Sequence, residues 1–213
     1  MTSRSSAEAV GRTTATDAAL ARVLDHDRAA LAHMARLVDQ VALDDLARPT
    51  PCTGWDVHAL LDHVVGGNVL YARAAAGEDA DWDTRSDDHL GDDHRAAFVR
   101  SAEAVTDAFA VVAATGTPIA LPFGALTPAW AIPIHFVDVL VHGWDLAAAC
   151  GLDRTLDRDL ATAALESVAA YPAETWGDPR FFAHRVEPPE GATITERLVA
   201  AVGRSPHWRP SGG

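Results

Sequence analysis

The chain has 213 residues, of which 48% are hydrophobic, and this size and composition suit one globular domain with a sizeable core. Its formal net charge is −13, with 30 acidic residues against 17 basic ones. A field of that sign repels the phosphates of nucleic acids, so nucleic-acid binding is excluded from the expected functions. No lysine occurs, and we interpret this as the codon bias of a GC-rich genome.

The N-terminal region carries no targeting or membrane signal. Residues 1–15 are rich in Ser, Thr, Arg and Ala without periodicity, and we expect them to form a disordered tail. No apolar signal region is present, and no apolar run reaches the ~18 residues that a membrane span needs. With only two cysteines, Cys52 and Cys150, we expect a cytoplasmic protein with free thiols rather than a disulfide.

Apolar residues at three- and four-residue steps predict helices in the first half of the chain. The first helix is predicted from Thr16 to about Val41. A proline-rich linker follows, and then Thr53 and Asp56 resemble a capping box that opens a second helix, which Gly77 ends. Residues 78–92 are acidic and aperiodic, which predicts a solvated loop, and residues 93–112 form a third amphipathic pattern.

The second half continues the helical pattern. Residues 116–127 read as a loop with a short extended piece near 119–123. The fourth helix ends before Gly151 and begins either at Pro128 or after Pro133, because a proline is tolerated in a first turn but kinks or breaks a helix interior. A fifth helix covers 157–171, and a short capped helix starts at Thr193 with Glu196 at its third position.

Four long helices and few strand signals predict an all-α fold, a helical bundle over residues 16–172. Residues 173–213 are predicted to form a C-terminal extension packed on that bundle.

The stretch "DVLVHGWDLA" in the fourth helix raises a chemical question. Asp138 and His142 lie four residues apart, which places them on one helix face, one turn from each other. The helix around them is apolar on nearly all sides, and a buried carboxylate costs several kcal/mol unless it is paired or bound to a metal. Two interpretations follow: a structural Asp–His pair, or a site for Zn²⁺ or another borderline divalent ion.

A third ligand is available on the second helix. His63 shares a helix face with Leu60, Val64 and Gly67, so it is directed the same way as the apolar stripe, whereas His58 falls on another side. A core histidine is the alternative interpretation of His63. Helical bundles build metal sites from facing helices that each project a ligand inward.

Two stretches together carry a family resemblance. "TPCTGWDVHALLDHVVGGN", followed much later by "DVLVHGWDLAAACG", resembles the actinobacterial DinB-like metal-binding proteins, which are related to the N-terminal domain of mycothiol-dependent maleylpyruvate isomerase. The resemblance implies a DinB-like four-helix bundle that holds a divalent metal, usually Zn²⁺. Its ligands are a histidine from the second helix and a carboxylate-x-x-x-His pair from the fourth, here His63, Asp138 and His142. The isomerase relatives have Glu where this chain has Asp138.

The resemblance also implies a type of reaction. Three protein ligands leave a coordination position open, as in catalytic zinc sites. The leading hypothesis is a metal-dependent S-transferase or thiol-assisted isomerase, in which the metal activates a small-molecule thiol, mycothiol in actinobacteria, for attack on a small electrophile. The alternatives are a thiol-independent hydrolase, lyase or cyclase, and a metal-binding protein without turnover. The relatives carry a full second domain, so maleylpyruvate itself is not the expected substrate; a homodimer is a further expectation.

Other side chains near the predicted site have assigned roles. His135 lies on the same helix face as Asp138 and is a candidate substrate contact or fourth ligand, and Asn68 and Tyr71 are candidate pocket-lining residues beyond His63. Asp145, three residues after His142, is expected either to accept a hydrogen bond from that imidazole or to pair with an arginine. Cys52, near a helix N-terminus, is a minor candidate for a redox or nucleophilic role.

Trp55 and Trp144 are interpreted as core residues, and Cys150 as a packing residue.

Overall fold

The computed structural model describes residues 3–81, 88–172 and 183–210, with the backbone alone for 3–17. The four long helices are α1 (Ser3–Val38), α2 (Val57–Ala75), α3 (His94–Thr115) and α4 (Pro128–Cys150). Two shorter helices follow, α5 (Arg158–Ala169) and α6 (Ile194–Ala201). The all-α prediction is confirmed, because the strands in the described part of the chain are limited to one small hairpin.

That hairpin pairs β1 (Ile119–Leu121) with β2 (Gly124–Leu126) in antiparallel register, with Ile119 opposite Leu126. The hairpin lies between α3 and α4 in the sequence, and the helical bundle remains the main layer of the fold. A single 3₁₀ turn, Leu43–Asp45, connects α1 to the loop before α2. Within the described ranges, no helix combines the length and apolar character of a membrane span.

In the bundle, α1 packs chiefly on α4 and α2 on α3. The core between them is mostly apolar, and its largest fully buried side chains include Trp144, Phe98, Phe109, Phe136 and Met34. The interpretation of Trp144 as a core residue is therefore confirmed. Since α4 is buried on almost every side, any polar group on it requires a partner within the protein.

The starts of α1 and α2 differ from the prediction. The backbone is helical from Ser3, well before Thr16, because Ala, Glu and Arg favour helix even where no apolar stripe marks it. The N-cap of α2 is Asp56, whose carboxylate accepts the Ala59 N–H at 2.8 Å, rather than Thr53. The start of α4 agrees with one of the two predicted alternatives, because the helix begins at Pro128 and continues through Pro133.

The helix ends agree better with the prediction. Gly151 ends α4 with a left-handed φ of 70°, and the capping box of Thr193 and Glu196 is present at the start of α6. The division into a tail (1–15), a bundle (16–172) and an extension (173–213) stays a prediction, and residues 173–182 lie outside the described ranges.

A chain of polar side chains crosses the core, with one residue from each long helix. His135 Nδ1 lies 2.7 Å from Asp27 Oδ1, and His135 Nε2 lies 2.9 Å from Asn68 Oδ1. Asn68 donates its amide N–H to Ser101 Oγ at 3.0 Å, and Ser101 donates to the Phe98 carbonyl at 3.0 Å. All of the linked side chains are buried, so this network is a structural element of the bundle.

The hydrogen bonds of this network also indicate which ring nitrogen of His135 carries a proton. Ser101 donates its only hydroxyl proton to a carbonyl, so it accepts from the amide of Asn68, and the amide oxygen faces His135. His135 Nε2 therefore carries a proton and donates it to that oxygen. Its other ring nitrogen is engaged by the Asp27 carboxyl group.

We predict that Asp27→Ala lowers the free energy of unfolding by about 3–5 kcal/mol, since it removes one partner of a buried pair and leaves His135 without its counter-group. Asp25→Ala on the same helix is the control, because that side chain is 74% exposed and pairs with Arg28 on the surface. The control is expected to change stability by at most about 1 kcal/mol. Urea unfolding followed by circular dichroism measures both; equal effects of the two substitutions would contradict the prediction.

Candidate metal centre

The three predicted ligands come together where α2 meets α4. His63 Nε2 lies 3.6 Å from Asp138 Oδ2, and His142 Nε2 lies 3.4 Å from Asp138 Oδ1. The two imidazole rings have centroids 4.8 Å apart and are nearly perpendicular. All three donor atoms lie within 4.8 Å of one another. The carboxylate therefore stands between two imidazole nitrogens that belong to different helices.

The spacing of these atoms is close to that of the ligands around one metal ion. Charge-assisted N–H···O hydrogen bonds are about 2.7–2.9 Å long, shorter than both separations here. Nitrogen and oxygen ligands of zinc lie about 2.0–2.2 Å from the metal, so two ligands of a tetrahedron are about 3.4 Å apart. The separations of 3.4 and 3.6 Å are close to that edge, with one histidine facing each oxygen of the Asp138 carboxylate. Both the donor types and their distances are therefore suitable for Zn²⁺.

The charges of the three side chains are strongly coupled. Burial by itself would raise the pKa of Asp138, but the adjacent His142 and His63 hold that pKa well below its usual value. Burial would lower the pKa of His142, but Asp138 and the hydrogen bond to Asp145 raise it well above its usual value. The carboxylate is thus an anion, and a cation bound at His142 Nε2 would displace a proton from that ring.

Asp145 orients the imidazole of His142 from the opposite side. Its Oδ2 atom lies 3.0 Å from His142 Nδ1 and 3.0 Å from Arg204 Nη2, and the Asp145 side chain is fully buried. The two roles expected for Asp145 are both present: its carboxylate accepts a hydrogen bond from His142 and also pairs with Arg204. A hydrogen bond at Nδ1 leaves the lone pair of Nε2 on the side of Asp138 and His63.

A second group of potential ligands is less suitable for a cation. Cys52, His142 and Asp145 also lie close enough to hold an ion. However, Arg204 Nη2 lies 3.0 Å from Asp145 Oδ2 and 3.5 Å from Cys52 Sγ, so a permanent positive charge already neutralises this space. The pKa of Asp145 reflects the charge of Arg204. Burial by itself would raise that pKa, but the adjacent guanidinium outweighs burial and lowers it.

The loop before α2 builds one wall of the centre. Thr50 Oγ1 accepts the Cys52 N–H at 3.1 Å and donates to the Trp55 carbonyl at 3.0 Å, which holds this turn together. The Trp55 ring consequently lies 4.6 Å from the His63 ring and 6.0 Å from the His142 ring, centroid to centroid. Trp55 therefore packs against the two histidines, a role that its interpretation as an ordinary core residue missed.

Cys52 and Arg204 are the other residues whose place the sequence did not reveal. The Cys52 thiol donates to Asp145 Oδ2 at 3.3 Å. The sequence feature that indicates a role for this loop is the position of "TPCTGW" directly before the helix that carries His63. Arg204 gave no such signal, because its contact depends on how α6 docks.

Both cysteines are free thiols, as expected. Burial raises the pKa of Cys150 to about 11, which agrees with a packing role for that side chain.

The three predicted substrate contacts lie in a different cluster. His135 and Asn68 belong to the buried polar network described above, and the ring of Tyr71 packs 5.0 Å from the ring of His135. Because both ring nitrogens of His135 face protein oxygens, this ring has no lone pair to offer as a fourth ligand in the present structure. Substrate contact by these residues stays a prediction, and it would require a small molecule to enter the core.

Comparisons with known proteins agree with this architecture. Residues 27–147 match the family model described as the mycothiol maleylpyruvate isomerase N-terminal domain. The matched range includes His63, Asp138, His142 and Asp145. Uncharacterized proteins from two strains of Mycobacterium tuberculosis, CDC 1551 and H37Rv, are 33% identical to this chain over 184 residues, which cover 86% of this chain and 97% of theirs.

Two solved structures share the fold. A crystal structure of the mycothiol-dependent maleylpyruvate isomerase is similar with a TM-score of 0.57 and 18% identity, covering 71% of this chain and 68% of that one. A histidine-to-alanine variant of that isomerase is similar with a TM-score of 0.59 and 16% identity, covering 82% of this chain and 78% of that one. At these identities the likeness establishes the bundle fold.

We predict that the protein carries about one zinc ion per chain when it is purified without chelators or nickel affinity resin, because its donor set matches zinc. His63→Ala is expected to lose most of that zinc. His58→Ala is the matched control, since His58 lies on the same helix but is exposed. Metal analysis by plasma mass spectrometry measures the content, and equal zinc in the two variants would exclude His63 as a ligand.

We predict that Asp145→Asn destabilises the zinc-free protein by about 3–5 kcal/mol at neutral pH, because Arg204 is left as a buried charge without its counter-charge. The folded pKa of Asp145 is lowered, so its contribution is complete above its ordinary value near ~3.9 and is lost as pH falls through the folded value. The stability gap between wild type and variant therefore narrows below about pH 4. Urea titrations at a series of pH values measure this gap, and a gap independent of pH would contradict the assignment.

Proposed function

The chain belongs to the family of the mycothiol maleylpyruvate isomerase N-terminal domain, and we propose that it is a metal-dependent enzyme that uses a small-molecule thiol, mycothiol or a close analogue. The reaction we propose is transfer of the thiol to a small electrophile, or isomerisation of that electrophile through a temporary bond to the thiol. The observation that carries this proposal is the convergence of His63, Asp138 and His142, whose possible ligand atoms lie within 4.8 Å of one another.

In this proposal His63, Asp138 and His142 hold the ion. When bound, Zn²⁺ would supply an open coordination position and would lower the pKa of a thiol that occupies it. Asp145 and Arg204 keep His142 in the tautomer that presents Nε2 to the ion. Trp55 packs on both imidazole rings and restricts their rotation.

The exposure of the ligands indicates the side from which a substrate approaches. The side chain of Asp138 is 35% exposed and that of His63 is 17% exposed, whereas His142 is 6% exposed. The centre is thus closed on the side of Asp145 and open on the side of Asp138. A thiol and an electrophile of small-molecule size approach from this open side, next to the Trp55 wall.

The chemistry is balanced without any redox partner. The thiol gives up its S–H proton, and a sulfur–carbon bond forms at the electrophilic carbon. In an activated alkene the carbon–carbon π bond breaks, and in an epoxide a carbon–oxygen bond breaks, and the proton returns to the carbon or oxygen that gains the electron pair. In an alkyl halide the carbon–halogen bond breaks, and the halide and the proton are released to solvent. In a transferase the sulfur–carbon bond remains. In an isomerase it breaks again after rotation about the adjacent carbon–carbon bond, which releases the thiol unchanged, so the thiol is consumed in one case and catalytic in the other.

The test is turnover by the zinc-loaded full-length protein with mycothiol and a panel of small electrophiles that includes activated alkenes, epoxides and alkyl halides. Loss of free thiol and the mass of the adduct report transfer, and nuclear magnetic resonance of a cis-alkene substrate reports isomerisation. His142→Ala is expected to lower the rate at least about 100-fold, since a catalytic metal contributes several kcal/mol to transition-state stabilisation. His58→Ala is the control with unchanged rate.

The remaining outcomes separate the alternatives. Turnover that does not require a thiol would replace the proposal by a metal-dependent hydrolase, lyase or cyclase. Zinc binding without turnover under any thiol would indicate a binding protein. Wild-type protein that takes up no metal would remove the basis of the proposal.

A further inference from the structure

Arg204 reaches the candidate metal centre from the segment that follows α6, far along the chain from α2 and α4. Its Nη2 and Nε atoms lie 3.0 and 3.3 Å from Asp145 Oδ2, so two N–H groups converge on one carboxylate oxygen. Its Nη1 donates to the Val202 carbonyl at 3.0 Å. Each nitrogen of the guanidinium has an oxygen partner, and the side chain is 12% exposed, so its head is held in one place.

The end of α6 directs this side chain. Gly203 donates its N–H to the Ala200 carbonyl at 3.1 Å, and Arg204 donates its N–H to the Val199 carbonyl at 2.9 Å. These are the two hydrogen bonds of a Schellman motif, in which the residue at C′ adopts a left-handed conformation. Gly203 has φ of 85°, and a Cβ there would lie 2.7 Å from the Cβ of Ala183. The backbone therefore fixes where Arg204 leaves the helix.

Helix α6 is in turn anchored to the bundle. Leu198, Val199 and Val202 are fully buried in the same core cluster as the residues of α4. The Leu156 N–H donates to Thr195 Oγ1 at 3.2 Å, which links the start of α6 to the turn after α4. The position of the guanidinium thus depends on the docking of the C-terminal extension.

The contacts form a relay from the extension to the ion site. Arg204 binds Asp145 Oδ2, the same oxygen faces His142 Nδ1 at 3.0 Å, and His142 Nε2 faces Asp138. The terminal torsion of an aspartate is broad and loosely restrained by itself. Two converging N–H groups remove that freedom from Asp145, and the carboxylate then fixes both the tautomer and the plane of the imidazole.

We propose that Arg204 is a positioning residue of the metal centre, acting through Asp145 to keep His142 Nε2 directed at the ion. This inference rests on the metal centre of the proposed function. It makes the C-terminal extension a functional part of the site, because the affinity for metal depends on α6 being docked.

The experiment uses the full chain, stripped of metal and titrated separately with Zn²⁺ and with Co²⁺ alone. Arg204→Met is expected to weaken zinc binding about 10–100-fold, the usual effect of losing a group that orients a metal ligand. It is also expected to shift the visible absorption bands of bound Co²⁺, because a reoriented imidazole changes the ligand field. Arg197→Met, an exposed arginine of α6 with the same change in charge, is the control with wild-type affinity and spectrum.

A double-mutant cycle tests the route through Asp145. In an Asp145→Asn background, where the relay is already broken, Arg204→Met is expected to cause little further loss of zinc affinity. Arg204→Lys keeps the charge without the two converging donors, so it is expected to restore only part of the affinity.

The possible outcomes distinguish failure of the inference about Arg204 from failure of the metal centre on which it rests. Wild-type zinc affinity and Co²⁺ spectrum in Arg204→Met, or losses that add independently with Asp145→Asn, would overturn the inference and leave the proposed function standing. Wild-type protein that binds neither ion would overturn the metal centre itself. If circular dichroism shows that Arg204→Met does not fold, Arg204→Lys decides alone: lowered affinity supports the inference, and wild-type behaviour overturns it.

Discussion

The buried carboxylate of Asp145 is the constraint around which the candidate metal centre is organised. A carboxylate removed from water is costly unless charges and hydrogen-bond donors surround it, and Asp145 finds them in three separate parts of the chain. Cys52 comes from the loop before α2, His142 from the same helix, and Arg204 from the segment after α6. One buried charge thereby brings a loop, a bundle helix and the C-terminal extension to a single point.

Helix α4 carries two Asp–His clusters whose distances distinguish their roles. Asp27 and His135 are 2.7 Å apart, a hydrogen-bond length, and no ring nitrogen of His135 is left over. Asp138 lies 3.4 and 3.6 Å from His142 and His63, longer than strong hydrogen bonds and close to the spacing of ligands in the proposed ion site. Periodicity placed His135 on the metal face, but its partners on α1 and α2 could not be inferred from α4 alone.

Residue spacing and capping residues in the sequence predicted the features that depend on a single helix. The four-residue spacing of Asp138 and His142 and the helix face of His63 follow from helix geometry, and the capping residues marked most helix ends. That His63 meets the other two residues required the family resemblance as well, since periodicity gives a face but not its neighbour. Trp55 and Arg204 were missed because they lie in a loop and just after a helix, where tertiary docking alone determines the contacts.

The ligands of the candidate centre belong to helices that a long stretch of chain separates, with all of α3 and the hairpin between them. An ion held by both helices would act as a reversible cross-link, closing a large loop in the way that a disulfide does. Folding and occupancy would then be linked, and the stability of the protein would rise with the logarithm of the free metal concentration. A cell that regulates its zinc supply would, through this one contact between α2 and α4, also regulate how long the protein survives.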